Sequence, residues 1–303
     1  MTHCVVAVVV TWNRRDLLLE SLAALAAQTR PPDRVVVVDN SSTDGTSAAV
    51  AEAFPAVELT TTAANLGGAG GFALGLTRAL DGPADAVWLM DDDTVPTPTA
   101  LAELLAARDG YPGERPALVA SRVVWTDGRD HPMNTPRPRP LASRAARAAA
   151  AQVGAMPVRS ASFVSVLLDA AACRATALPV ADYFLWNDDF EYTTRLLRHG
   201  VGLYVPASVV VHKTRTFGST DADPGPRFFY EVRNKIWLIT RSPALAPWER
   251  VLYIGASLRR WIRTFARSRS RGVLAAAFGR GVLAGARSGP RPTADVLAAA
   301  SDR

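Results

Sequence analysis

The chain has 303 residues, 49% hydrophobic and 20% charged, enough for a large buried core in one domain plus an appendage. Its net charge of +6 is uneven: residues 248–303 hold eleven Arg against Glu249, Asp295 and Asp302, a net of +8, which leaves −2 for residues 1–247. The two cysteines, Cys4 and Cys173, lie far apart without CxxC spacing, which argues against a disulfide framework or a zinc site and fits a reducing cytoplasm.

The N-terminus, "MTHCVVAVVV", runs into an apolar stretch ending at Thr11. It lacks a basic leader region and a small-residue cleavage site, so it reads as a first strand and not a signal peptide. No uncharged apolar run reaches the length of a membrane-spanning helix. "RRDLLLESLAALAAQT" has helical spacing, with Leu18, Leu22, Leu25 and Ala26 on one face. "PPDRVVVVDNSSTDGT" is a turn, a strand of four valines and a polar loop. "SAAVAEAF" reads as a helix, "VELTTT" as a short strand and "ANLGGAGGFALGLTRAL" as a Gly-rich loop entering a helix. "DAVWLMDDDT" is a further buried strand. Strands alternating with helices predict an α/β fold, a parallel sheet with helices on both faces. The polar clusters Thr11–Arg14, Asp39–Asp44 and Asp91–Asp93 all follow strand C-terminal ends, the edge where open α/β sheets bind ligands.

Residues 127–160, rich in Pro, Arg and Ala, read as a long mobile loop with one short helix at Ser143–Gln152. "SASFVSVLLDAAAC" then reads as a strand, "WNDDFEYTTRLLRHG" as a helix closed by Gly200, and "VGLYVPASVVVHK" as strand, turn, strand. From "FYEVRNKIWLITRS" onward the chain is helical, with Leu258, Trp261, Ile262 and Phe265 on one face and Arg260, Arg263 and Arg267 on the other.

Five stretches carry chemistry. Three aspartates after a buried strand repel one another and are costly to desolvate without a positive partner. A helix cap at Asp93-Thr94 explains one of them; a divalent cation shared with phosphate oxygens explains all three. Asp39, at another strand end, can accept two hydrogen bonds from a planar ring or a ribose, and an Asx-turn through Asn40–Gly45 is compatible with that. "NLGGAGG" permits close backbone approach at a helix start, for a phosphate or nucleoside or for a tight turn, and is not the GxGxxG of a dinucleotide fold. In "WNDDFEYTTR", Asp188 and Glu191 share a helical face while Asp189 points elsewhere. The acids suit a helix N-terminus, or a general base beside the aromatic platform of Trp186. His212, ending "VVVH", is a structural histidine or, beside an aspartate triplet, a metal ligand.

In their order, "TWNRRDLL", "VVVVDNSSTDGT", "NLGGAGG", "DDD", the acidic pair opening a helix and "VPASVVVH" resemble the inverting, nucleotide-sugar-dependent glycosyltransferases of family two. The resemblance spans roughly residues 5–240, and the full set is far more specific than any one piece. It implies the GT-A fold: a Rossmann-like, mostly parallel sheet flanked by helices, with a helical C-terminal extension here. "WLMDDDT", "WNDDFEYTTRL" and "VVVHKTRTFGSTDADPGPRFFYEVRNKIW" look most like the actinobacterial galactofuranosyltransferases that begin the cell-wall galactan.

That resemblance implies a catalytic domain over 1–240 and a basic helical region over 241–303. It implies UDP-galactofuranose as donor and a polyprenyl-diphosphate-linked rhamnosyl-GlcNAc as acceptor. Thr11, Asn13, Arg14 and Asp39 would hold the uridine and ribose side of UDP, lined by Asn65, Gly67 and Gly68. Asp91 and Asp92 would contact ribose and diphosphate, and Asp93 and His212 would coordinate Mn²⁺ or Mg²⁺. Asp189 would be the base, Asp188 would bind acceptor hydroxyls and Trp186 would stack on a sugar face. Many relatives carry Glu-Asp where this chain has Asp188-Asp189. A rhamnosyltransferase using dTDP-rhamnose, and a non-catalytic sugar-nucleotide scaffold, are the competing readings. The Arg-rich tail suits an anionic membrane surface, with packing on the catalytic domain or across a homo-oligomer interface as the alternative. A lipid-linked acceptor favours a peripheral protein on the cytoplasmic face of the plasma membrane. Nucleic acid is not expected, because the tail has few aromatics besides Trp261 and Phe265.

Overall fold

The computed structural model describes residues 3–218 and 223–301. The valine-rich start forms β1 (Val5–Thr11), buried along its whole length. Side chains alternate across a strand, so Val5, Ala7 and Val9 join one hydrophobic core and Val6, Val8 and Val10 another. A strand buried on both faces has no polar side to spare, which is why this run does not alternate in sequence.

The chain continues through α1 (Arg15–Ala26), β2 (Arg34–Asp39), α2 (Thr46–Ala53), β3 (Glu58–Thr61), α3 (Gly67–Leu80) and β4 (Ala86–Asp91). β5 (Thr94–Pro96), α4 (Ala100–Gly110), β6 (Leu118–Val124), β7 (Arg137–Pro138), α5 (Arg144–Gln152) and β8 (Met156–Ser160) follow. Then come β9 (Val166–Asp169), α6 (Ala170–Arg174), a 3₁₀ turn at Ala181–Tyr183, α7 (Asp188–Leu196) and β10 (Gly202–His212). A 3₁₀ turn at Gly225–Arg227, α8 (Phe228–Thr240), α9 (Pro247–Arg267), α10 (Arg271–Arg287) and α11 (Thr293–Ser301) complete it. One ten-stranded sheet runs in the order β3-β2-β1-β4-β9-β6-β10-β8-β7, with β5 paired to β10. Leu18, Leu22 and Leu25 of α1 are buried on one face of the sheet; Leu76 of α3 and Tyr192 of α7 are buried on the other.

Several expectations are corrected. The sheet is parallel only from β3 through β4 and between β6 and β10; β9 lies antiparallel between β4 and β6, so the sheet is mixed. Ala26 is exposed, and Ser21 completes the buried face of α1. The segment 127–160, read as a loop, carries β7 and β8, and its expected helix is α5, capped by the Ser143 hydroxyl on Ala146 N–H. "SASFVSVLLDAAAC" divides between the end of β8, β9 and α6, and α7 ends at Leu196, before Gly200. β10 passes through Pro206 as one strand with a register shift between Val205 and Val209. Proline cannot donate to the ladder and so sits at the irregularity.

Candidate active site

The parallel strands set the site. β1 and β2 end level, Thr11 opposite Asp39, and Val10 of β1 is opposite Asp91 of β4, so three polar strand ends share one edge. After Asp91 the chain turns through Asp92 and Asp93 into β5, which pairs antiparallel with β10 so that Thr94 faces His212. The Lys213 N–H donates to Asp93 O (2.8 Å), closing the corner. α4 begins at Ala100 behind Thr99, so neither Asp93 nor Thr94 caps it, and the capping alternative for the triplet fails.

The three carboxylates diverge. Asp92 accepts from Thr11 Oγ1 (2.8 Å) and Trp12 N–H (3.3 Å). The Arg14 guanidinium bridges Asp92 (3.2 Å) and Asp93, a contact the sequence reading did not include. Asp93 Oδ1 lies 3.0 Å from His212 Nε2. His212 Nδ1 faces Asn134 Oδ1 at 2.9 Å, and the Asn134 amide is oriented by its own donation to Ser162 Oγ (3.2 Å). The ring therefore carries a proton on Nδ1; its Nε2 faces Asp93 as a donor when the ring is charged and offers its lone pair to a cation when the ring is neutral.

Asp91, Asp93 and His212 each offer a ligand atom, all within 4.8 Å of one another. Asp93 Oδ1 is buried, with the His212 ring as its polar neighbour. Two carboxylates and an imidazole converging in one buried corner fit a divalent cation of the Mn²⁺ or Mg²⁺ kind.

The electrostatics agree. Burial, then the charges of Asp93 and Asp92, push Asp91 up to about 7 against the pull of His212. Burial, then Asp93, push Asp92 up to about 6 against Arg14. Burial would raise Asp93 as well, but His212 and Arg14 outweigh it and hold it below the usual range. Burial opposes the charged His212 ring, and Asp93 outweighs that and raises it. The site carries more negative charge than Arg14 and His212 comfortably offset.

The expected nucleoside side is a set of latched loops. Asp39 is fully buried and accepts from Ser42 N–H (2.9 Å) and the Ser47 hydroxyl. Asn13, at φ +53°, receives Ser42 and Thr43: its N–H donates to Ser42 Oγ (2.8 Å) and its Oδ1 accepts from Thr43 N–H (2.7 Å). Asn65 Oδ1 accepts from Gly67 N–H (2.7 Å). Gly67 has φ +68°, and a Cβ there would lie 2.0 Å from Phe184 O, so close approach of the loop before α7 demands this glycine. A Cβ on Gly68 would meet nothing within 4 Å.

The acidic pair opens α7 on the same side. Asp188 is buried and Asp189 half-buried. Burial, then the Asp189 charge and, more weakly, that of Asp91, raise Asp188 well above the carboxylate range, so Asp188 feels the strand-end cluster. Burial raises Asp189, with its bond from Phe190 N–H (2.6 Å) and the Arg137 charge opposing. Trp186 is half-buried, with the Arg227 guanidinium 5.6 Å from its ring centre. Glu191 is occupied by Arg195 (2.8 and 3.1 Å) and Ser242 (2.7 Å), which makes it a packing residue.

Sequence reasoning missed Asn134 and His131, whose ring centre is 5.1 Å from that of His212, and Trp12, 53% exposed beside Asp92. The histidine and asparagine sit in a stretch without periodicity. The only local signal is that β6 precedes it and β10 is that strand's parallel neighbour.

Residues 6–150 match the family described as Glycosyl transferase family 2. Over 262 residues the chain is 34% identical to the galactofuranosyltransferase GlfT1 of Mycobacterium tuberculosis, covering 80% of this chain and 84% of that protein. Over 255 residues it is 29% identical to the N-acetylglucosaminyl-diphospho-decaprenol L-rhamnosyltransferase of the same organism, covering 74% and 80%. The solved structure of S. aureus TarS 1-349 in complex with UDP-GlcNAc shares the fold, with TM-score 0.61 and 18% identity over 92% of this chain and 81% of that one.

Proposed function

The chain belongs to glycosyl transferase family 2, and from that premise we propose that this glycosyltransferase moves galactofuranose from UDP-galactofuranose to a polyprenyl-diphosphate-linked rhamnosyl-GlcNAc, the first step of a cell-wall galactan. The observation that carries the reading is the Asp91–Asp93–His212 group at the strand-end edge, within electrostatic reach of the buried Asp188 that opens the acidic pair. The likeness to a galactofuranosyltransferase over four fifths of the chain favours the donor.

Asp91, Asp93 and His212 would hold a divalent cation, which when bound would neutralise, as a Lewis acid, the charge that builds on the leaving UDP. Thr11, Asn13 and Asp39 with Asn65, Gly67 and Gly68 frame the nucleoside. Arg14 and Asp92 line the diphosphate side, where Arg14 can exchange a carboxylate for a phosphate oxygen. Asp189, the more open of the pair, takes the proton from the attacking acceptor hydroxyl, and its raised pKa brings it nearer neutral pH, where such a base works best. Asp188 binds acceptor hydroxyls and Trp186 stacks on a sugar face. Attack opposite the departing UDP inverts the anomeric centre.

Residues 1–240 form the catalytic unit in this reading, and 241–303 meet the membrane that holds the acceptor. No helix among the described residues is long and apolar enough to cross a membrane. On α9, however, Val251, Leu252, Leu258 and Ile262 are exposed, at 69%, 62%, 49% and 69%, flanked by Arg259 and Arg263. That is the composition of a helix lying in an anionic interface. Trp261 and Phe265, expected on the same face, pack instead around Phe228 and Phe278.

The test is transfer to a synthetic lipid-linked acceptor from UDP-galactofuranose and, in parallel, from dTDP-rhamnose, read by product mass. Galactofuranosyl product, lost by about 10²-fold or more in Asp189→Asn while UDP still binds, is expected. The likeness to a rhamnosyltransferase keeps one second reading, which rhamnosyl product alone would establish.

A further inference from the structure

Three of the four residues before the acidic pair are held in backbone conformations that L-residues avoid. Phe184 sits at φ +63°, ψ −58°, with Leu185 N–H donating to Tyr183 O (2.7 Å), a γ-turn of the rare, strained hand. Trp186 and Asn187 follow at φ +66° and +67°. Only Asn among these three tolerates the left-handed region well. Such strain persists only where the surroundings over-determine it.

The surroundings are supplied by α8. Asn234 is fully buried, and its amide nitrogen lies within hydrogen-bond distance of three carbonyls of the turn, Tyr183 O (3.0 Å), Leu185 O (2.9 Å) and Trp186 O (2.9 Å), which share its two hydrogens. Arg233 adds bonds to Asp182 O (2.7 Å) and Tyr183 O (3.0 Å), and Asn187 Nδ2 donates to Glu231 Oε2 (3.2 Å). From the opposite side Phe184 O accepts from Ala69 N–H (3.3 Å), at the start of the Gly-rich helix. The strained turn is therefore pinned between α8 and the loop framing the nucleoside.

We infer that Asn234 is a positioning residue for the transfer reaction: it holds the Tyr183–Asn187 turn in its strained form and so fixes Trp186, Asp188 and Asp189 against the strand-end aspartates. The inference rests on the reading that the acidic pair and Trp186 engage the acceptor. A buried amide with two hydrogens facing three carbonyls has no isosteric substitute, since Asp lacks the donors and Leu lacks all polarity.

The experiment compares wild type, Asn234→Ala and Asn234→Ala/Asn187→Gly by hydrogen exchange, UDP calorimetry and steady-state transfer from UDP-galactofuranose. In Asn234→Ala, amides across 184–190 should exchange at least tenfold faster while those of 86–93 are unchanged. kcat should fall at least tenfold, acceptor KM should rise, and UDP affinity should stay within twofold. Glycine at 187 takes φ +67° without strain and should restore part of kcat. Unchanged exchange over 184–190, or UDP affinity falling in step with kcat, would overturn the inference. Should Asn234→Ala not fold, Asn234→Ser, which keeps one donor, carries the same comparison. Asp188→Asn and Asp189→Asn run alongside: wild-type turnover in both would overturn the acceptor reading, while the exchange result judges the clamp on its own.

Discussion

Asp91→Asn should stabilise the metal-free protein, and increasingly so as pH rises from about 4 to about 7. Burial, then Asp93 and Asp92, lift Asp91 from the ordinary 3.8 to about 7. A carboxyl whose pKa is raised on folding contributes nothing adverse below the unfolded pKa. Its penalty grows as pH rises from about 4 to about 7, because the unfolded chain releases the proton and the folded one does not. Above that window the penalty is complete. At about 1.4 kcal/mol for each pH unit between the two values, the ceiling is roughly 4 kcal/mol. Water entry and movement of Arg14 will absorb part of it, so about 2 kcal/mol is the working figure. For a chain of this size that is a rise of about 4 °C in Tm. The assay is thermal unfolding with chelator present at pH 5 and pH 8. Asparagine should raise Tm at pH 8 by more than twice the rise at pH 5, and Mn²⁺ with UDP should stabilise wild type more than the variant. A fall in Tm at pH 8, or the same change at both pH values, would refute the view that this site is a cation seat held under charge strain.

Two other predictions concern the C-terminal region. Arg159 of β8 is buried and doubly bonded to Glu249 of α9 (2.7 and 2.9 Å), so Glu249→Ala strands a guanidinium in the interior. A loss of about 3–5 kcal/mol follows, readable as a large drop in Tm, and Arg159→Met with Glu249→Leu should recover most of it. Leu252→Asp with Ile262→Asp should abolish flotation with vesicles containing anionic lipid while UDP binding is unchanged. Retained flotation would move the exposed stripe to a subunit interface, which sedimentation would then reveal.

What the sequence disclosed, and what it concealed, follows from the range of the forces. β1, β2 and β4 were legible because burial on both faces forces continuous apolar runs, and each run ends in the polar residues Thr11, Asp39 and Asp91 that reach the ligand edge. The acidic pair was legible as a helix start. β5 was not, because three residues have no period of their own and become a strand only by pairing with Val210–His212, more than a hundred positions away. The same pairing delivers His212 to Asp93, so the reading of His212 as a ligand rested on residue type and resemblance. The antiparallel insertion of β9 was hidden for the same reason: strand direction is set by a partner and leaves no local mark. Asn134 and Asn234 act through carbonyls and a ring far along the chain. The Arg14 bridge is a matter of side-chain reach across a turn, which spacing in a sequence does not encode.

The central claim, that the strand-end aspartates with His212 form a cation-dependent nucleotide site, is tested most directly by calorimetric titration of UDP with and without Mn²⁺ on wild type and Asp93→Ala. Tight binding that requires Mn²⁺ and is lost in Asp93→Ala is the predicted result. UDP binding equally well without the metal, or undiminished in the variant, would contradict it.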